Sequence, residues 1–132
     1  WQAQFPFRTM LADGWPISGS SDVWVGSDEH QSNPFRSIAA TLNRRTFHGQ
    51  LLAEEERLNP WQALWMHTAG GAHALGRAGE VGSLTPGACA DFAVLDTNPL
   101  TCDIDAVESI SVQDVFLSGR SVLRSQAVPD LI

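Results

Sequence analysis

Gly79-Glu80-Val81-Gly82-Ser83-Leu84-Thr85-Pro86-Gly87-Ala88-Cys89-Ala90-Asp91-Phe92-Ala93-Val94-Leu95-Asp96 is the most informative stretch of the chain. Pro86-Gly87 marks a tight turn. Phe92-Ala93-Val94-Leu95 is a short apolar run of strand type, and Asp91 before it reads as a turn stabiliser. Asp96 with Asn98-Pro99 ends that strand in the same way. Downstream, Ser111 to Leu117 alternates as a strand does, Ser118-Gly119 supplies a two-residue turn, and Arg120-Ser121-Val122-Leu123 returns. The last third is therefore β-rich. If this segment packs against the rest of a larger fold, Val94, Val112, Phe116 and Val122 are its expected buried positions.

Upstream of Gly76 the apolar spacing is helical. Phe7, Met10 and Leu11 stand at i, i+3 and i+4, and Gly14 follows where a helix terminates. Trp15-Pro16-Ile17-Ser18-Gly19-Ser20 is a short strand candidate, with Val23-Trp24-Val25 a second. Asn33-Pro34 is a helix start, with Asn at the N-cap and Pro at N1. Phe35, Ile38 and Leu42 carry that helix to about Phe47, and His48-Gly49 ends it. Glu54-Glu55-Glu56 reads as a solvated face. Asn59-Pro60-Trp61-Gln62 is a capping box opening a helix to about Thr68. Gly70-Gly71 is expected to interrupt it before a shorter helix that Gly76 caps.

Composition narrows the classes. With 132 residues, 43% apolar and 17% charged, the chain suits about one globular domain rather than a disordered segment. Net charge is −7, all eight basic residues are arginine, and they form no run. Phosphate neutralisation is the main source of nucleic-acid affinity, so nucleic acid and anionic membrane surfaces are poor partners. The longest apolar stretch, Trp61 to Leu75, is broken by Gln62, His67, Thr68, Gly70, Gly71 and His73, too often for a membrane span. Cys89 and Cys102 make no disulfide framework and read as reduced thiols of a cytoplasmic protein. The opening Trp1-Gln2-Ala3-Gln4-Phe5-Pro6-Phe7 has no Met and no signal character, and reads as the interior of a longer polypeptide.

The run Gly79 to Asp96 resembles the carboxyl-terminal signature of the metal-dependent amidohydrolases, G-x-[IL]-x-P-G-x-x-A-D followed by an apolar strand and Asp. Gly14-Trp15-Pro16-Ile17-Ser18-Gly19-Ser20-Ser21-Asp22 is similar to that family's strand ending in Ser-Asp. Pro60 to Leu64 and His67 to Ala72 resemble its following helix pair. Asn33-Pro34 and Arg44-Arg45-Thr46 are similar to the amidohydrolase-3 (YtcJ-like) branch. The resemblance implies an α/β plus β fold: the last strand and helices of a (β/α)8 TIM-type barrel, then the carboxyl-terminal share of a composite β-sandwich. Residues 1–78 would be the barrel part and 79–132 the sandwich segment. The eighth strand would lie at 16–21, the eighth helix at 34–47, and the sandwich strands within 79–125.

Implied with the fold is hydrolysis of a C–N bond in a small amide- or formamide-like substrate. A deaminase or a D-aminoacylase-like member, or a non-catalytic β-sandwich interaction module, are the alternatives. The implied cofactor is one or two divalent metal ions, zinc foremost, held mostly by residues elsewhere in the polypeptide. This chain has no HxH and no lysine, so of the implied ligands it offers only the aspartate after the eighth strand. Asp22, at the family's spacing from Gly14, is the expected catalytic residue and metal ligand, and Asp28, after Val23 to Ser27, competes for the place. The implied partners are the substrate and the rest of the polypeptide, and a homo-oligomer is compatible. A carboxylate on a rigid strand end can pass a proton from the attacking water to the departing amine, within a reach of roughly 2.6–3.2 Å.

Other residues have plainer expectations. His30 reads as a solvated loop histidine, His48 as a helix-end cation, and His67 and His73 as packing or surface residues. Arg44 and Arg45 are expected late in a helix, in a structural ion pair. Trp24 is a candidate pocket wall, whereas Trp1, Trp15, Trp61 and Trp65 read as packing.

Overall fold

The computed structural model describes residues 4–23, 30–46 and 48–123. Asp28, Trp24, Trp1 and the second strand candidate around it at 23–25 fall wholly or mostly outside those residues. Among the described residues the helices come first: α1 (Phe7–Ala12), α2 (Pro34–Asn43), α3 (Pro60–His67) and α4 (Ala69–Ala74). Three strands follow: β1 (Phe92–Leu95), β2 (Val112–Leu117) and β3 (Arg120–Ser121). One 3-10 turn covers Glu54–Glu56 and another covers Ile104–Ser109. The helix-then-strand order matches the apolar spacing.

α2 is the centre of packing. Asn33 Oδ1 accepts from Phe35 N at 3.0 Å and Pro34 occupies the first helical position, so its start is fixed locally. Phe35, Ile38, Ala39 and Leu42 then form one buried stripe. That stripe meets Leu58, Ala63 and Met66 on one side and Val107 and Ile110 of the second 3-10 turn on the other. The Asn59 capping box of α3 is complete, with Gln62 N donating to Asn59 Oδ1 at 2.9 Å and Asn59 N to Gln62 Oε1 at 3.0 Å.

Several expectations need correction. α2 ends at Asn43, not near Phe47, because Arg44 adopts a left-handed conformation (φ 54°). There its buried guanidinium donates from Nε to Leu52 O (3.0 Å) and from Nη2 to Gln4 O (2.7 Å), and it stacks over the Phe7 ring. These carbonyls and the ring replace the expected ion pair. Glu56 is buried rather than solvated: Thr9 donates to it from both its main-chain N (2.9 Å to Oε2) and its hydroxyl. The break between α3 and α4 falls at Thr68 (φ −122°, ψ −92°), while Gly70 and Gly71 lie inside α4. Trp15 and Trp61 are more than half exposed, not packed.

Residues 15–20 form no strand, and Ile17 N turns back onto Trp15 O at 3.0 Å. A strand needs a neighbour to complete its ladder, and this segment is tied to other elements by isolated main-chain bonds, Trp15 N to Met10 O of α1 at 2.9 Å and Gly19 N to Met66 O of α3 at 3.0 Å. The hairpin is as expected. β1, β2 and β3 pair antiparallel in that order, with Phe92 opposite Phe116 and a bulge between Val94 and Leu95. Ser118 and Gly119 both have positive φ, as a tight primed turn requires. Asp91 holds that turn from the neighbouring strand, its Oδ1 accepting from Ser118 N at 2.7 Å.

The four expected core positions of the sheet are not buried. Val94 and Val112 are exposed, and Phe116 and Val122 are half-buried. Among the described residues no second layer covers the sheet. The buried residue of β2 is Asp114, whose Oδ1 accepts from Ser121 Oγ at 2.8 Å. Among the described residues no helix is long and apolar enough to cross a membrane.

Candidate active-site segment

The segment from Gly14 to Asp22 is held at both ends and in the middle. Gly14 (φ 81°) turns the chain out of α1, and Trp15 N donates to Met10 O at 2.9 Å. Gly19 N reaches Met66 O in the last turn of α3. At the far end Asp22 takes a left-handed conformation (φ 49°), tolerated by aspartate better than by most residues. Its main-chain N donates to Ser20 Oγ at 3.2 Å. Gln31 Nε2 donates to Ser21 O at 3.1 Å, tying the segment to the approach to α2. The Asp22 carboxylate is exposed at the tip.

An open cavity of about 420 Å³ runs along the flank of this segment. Ser18 to Ser21 form one wall and Arg36, Ser37, Ala40, Thr41, Arg44 and Arg45 another, with Met66 and His67 below. Asp22 is not one of its walls. Arg36 is engaged with Glu108 (3.1 Å) and Arg45 donates to Gly49 O (3.1 Å).

His67 is the residue that the spacing did not single out. Its imidazole packs on Gly19: a Cβ placed there would lie 2.4 Å from His67 Nε2. Burial lowers its pKa below the ordinary histidine value, so it is neutral at neutral pH. The only signal in the sequence was the missing side chain at Gly19, whose partner is 48 positions away and invisible to helical or strand periodicity. His30, His48 and His73 are exposed.

Among the described residues no three of His, Cys, Asp and Glu converge as a metal centre would require. Asp22 is a hard oxygen donor, exposed and anchored, and fits as one ligand of a set completed elsewhere. Cys89 and Cys102 are half-buried free thiols.

A sequence model described as the amidohydrolase family matches residues 1–123. The chain belongs to the amidohydrolase family. It is 32% identical over 115 residues, 87% of its length, to an N-substituted formamide deformylase of Arthrobacter pascens. It is 56% identical over 74 residues, 56% of its length, to an imidazolonepropionase of Nocardia farcinica. A putative amidohydrolase YtcJ of Bacillus subtilis is 24% identical over 121 residues, 89% of the chain. The chain spans about a fifth of these relatives, 20%, 17% and 22% of their lengths. Among solved structures, a crystallised amidohydrolase superposes with a TM-score of 0.59 at 23% identity, covering 86% of this chain and 24% of that one. The fold of this amidohydrolase segment is thus that of part of a larger amidohydrolase.

Proposed function

We propose that the polypeptide carrying this chain hydrolyses a C–N bond of a small amide- or formamide-like molecule, with Asp22 as its proton-transfer carboxylate and as one metal ligand. The observation that carries this is the anchored exposure of Asp22: an acid at the tip of a segment pinned at Gly14, Gly19 and Ser21. The names of the formamide deformylase and imidazolonepropionase relatives support hydrolysis at carbon–nitrogen bonds. We place the segment 16–21 as the eighth strand of a (β/α)8 barrel and β1 to β3 in a composite sandwich. Active sites of such barrels lie at the carboxyl ends of strands, which is where Asp22 would then stand.

A divalent metal, zinc foremost, would supply Lewis acidity and a water acidified to a pKa of about 7. The residues of this chain do the rest. Asp22 takes the proton of the attacking water on a carboxylate oxygen and returns it to the leaving nitrogen. Its main-chain hydrogen bond to Ser20 and the Gln31 bond to Ser21 hold the carboxylate in place between the two transfers. Asp22→Asn keeps the shape and removes the base, so turnover should fall about 10²-fold or more while the protein stays folded. Full activity in Asp22→Asn would overturn the assignment.

A further inference from the structure

Two glycines face each other across the contact between the Asp22 segment and the α3–α4 junction. Neither Gly19 nor Gly70 has a positive φ, so neither is required by backbone conformation. Gly70 is required by space, and Gly19 leaves room for a side chain packed on it. A Cβ on Gly70 would stand 2.5 Å from Ile17 O and 3.1 Å from the Trp65 ring. A Cβ on Gly19 would strike the His67 imidazole. Between them Gly19 N donates to Met66 O. The main chain of residues 17–19 therefore lies directly on the main chain of residues 66–70, closed by a histidine ring. Gly71, next on the same helix, has nothing within 4 Å of its Cβ position.

We infer that the α3–α4 junction is a seat that sets the position of the Asp22 carboxylate, with Gly70 and His67 as positioning residues for the reaction. The inference rests on the assignment of Asp22 above. Asp22 lies only three residues beyond Gly19, and Gln31 holds the intervening Ser21, so a displacement at Ile17 to Gly19 is passed on to the carboxylate. The contact with Ile17 is to a carbonyl oxygen, which cannot swing aside as a side chain can. Gly70→Ala must therefore shift one element against the other.

The test uses the full polypeptide, with formanilide (an N-substituted formamide) as probe substrate and retained zinc after dialysis as a second readout. Gly70→Ala should lower kcat about a hundredfold with KM little changed, the scale expected for a misplacement of about 1 Å. It should also lose zinc that the parent protein keeps. Gly71→Ala makes the same change of helix propensity without the contact, and should keep both kcat and zinc. His67→Ala, which leaves the backbone contact but removes the ring, should lower kcat about tenfold at unchanged KM. If Gly70→Ala fails to fold, His67→Ala alone decides. Wild-type kcat and zinc in Gly70→Ala or His67→Ala, with only thermal stability altered, would reduce the seat to a structural contact and overturn the inference. Asp22→Asn separates the two claims. Collapse there with normal Gly70→Ala removes the seat alone, and normal Asp22→Asn removes the functional assignment and the seat with it.

Discussion

Asp22 and Glu56 show how differently two acids of one chain are used. Asp22 is exposed and its main-chain N is tethered to Ser20, which suits the proton-transfer role proposed for its carboxylate. Asp28→Asn should keep turnover in the full protein where Asp22→Asn loses it; the reverse pattern in a kinetic assay would move the strand end by six residues. Glu56 is buried and joins the first 3-10 turn to α1. The Thr9 hydroxyl and then the Thr9 main-chain N–H bond its charged form, and burial opposes them more weakly, so its pKa lies below the ordinary 4.5. A depressed carboxyl pKa stabilises the fold fully above the unfolded-state value and loses that contribution as pH falls through the folded-state value. Glu56→Gln should thus be less stable at neutral pH and show a flatter loss of urea midpoint on acidification. Equal acid sensitivity of the two proteins would contradict the role. The run Glu54-Glu55-Glu56 gave no hint that its third member is buried, because the partner is Thr9, 47 positions away.

Among the elements, those whose ends are written in local chemistry were legible. The N-caps of α2 and α3, the Ser118-Gly119 turn and strands β1 and β2 all follow from a few adjacent residues. The ends set by distant contacts were not. α2 stops early because Arg44 turns back to carbonyls at Gln4 and Leu52, and the break before α4 falls on Thr68 rather than on the glycines. Burial of the sheet failed for a related reason: alternation along β2 marks two faces but does not say whether anything covers either. The consequence is measurable. Leu42, fully buried in the α2 stripe, should cost about 2–5 kcal/mol when replaced by Ala. Phe116 is half-buried and stacked on Phe92 at 4.5 Å, so Phe116→Ala in the chain alone should cost less than the roughly 3–5 kcal/mol of a fully buried phenylalanine. Denaturant unfolding of the two variants orders them, and a larger loss at Phe116 would mean that the sheet face is covered.

At the scale of the whole molecule, the chain spans about a fifth of the relatives it matches, and it shows open features that a larger body could cover. Among the described residues the segment 15–20 pairs in no ladder, no second layer covers the sheet, and Val94, Val112 and Leu117 are exposed. A barrel of eight strands cannot close on one, and uncovered strand edges recruit other chains. Among the described residues no three His, Cys, Asp or Glu side chains converge, so the proposed role of Asp22 needs ligands from elsewhere. Residues 1–132 expressed alone should therefore hydrolyse neither formanilide nor related amides. They should bind zinc no more tightly than surface histidines do, and should self-associate as concentration rises. Isothermal titration with zinc and sedimentation over a concentration series check the last two. A stoichiometric zinc held at nanomolar affinity by the isolated chain would be the decisive contrary result, because it would require a ligand set that His, Cys, Asp and Glu do not make among the described residues.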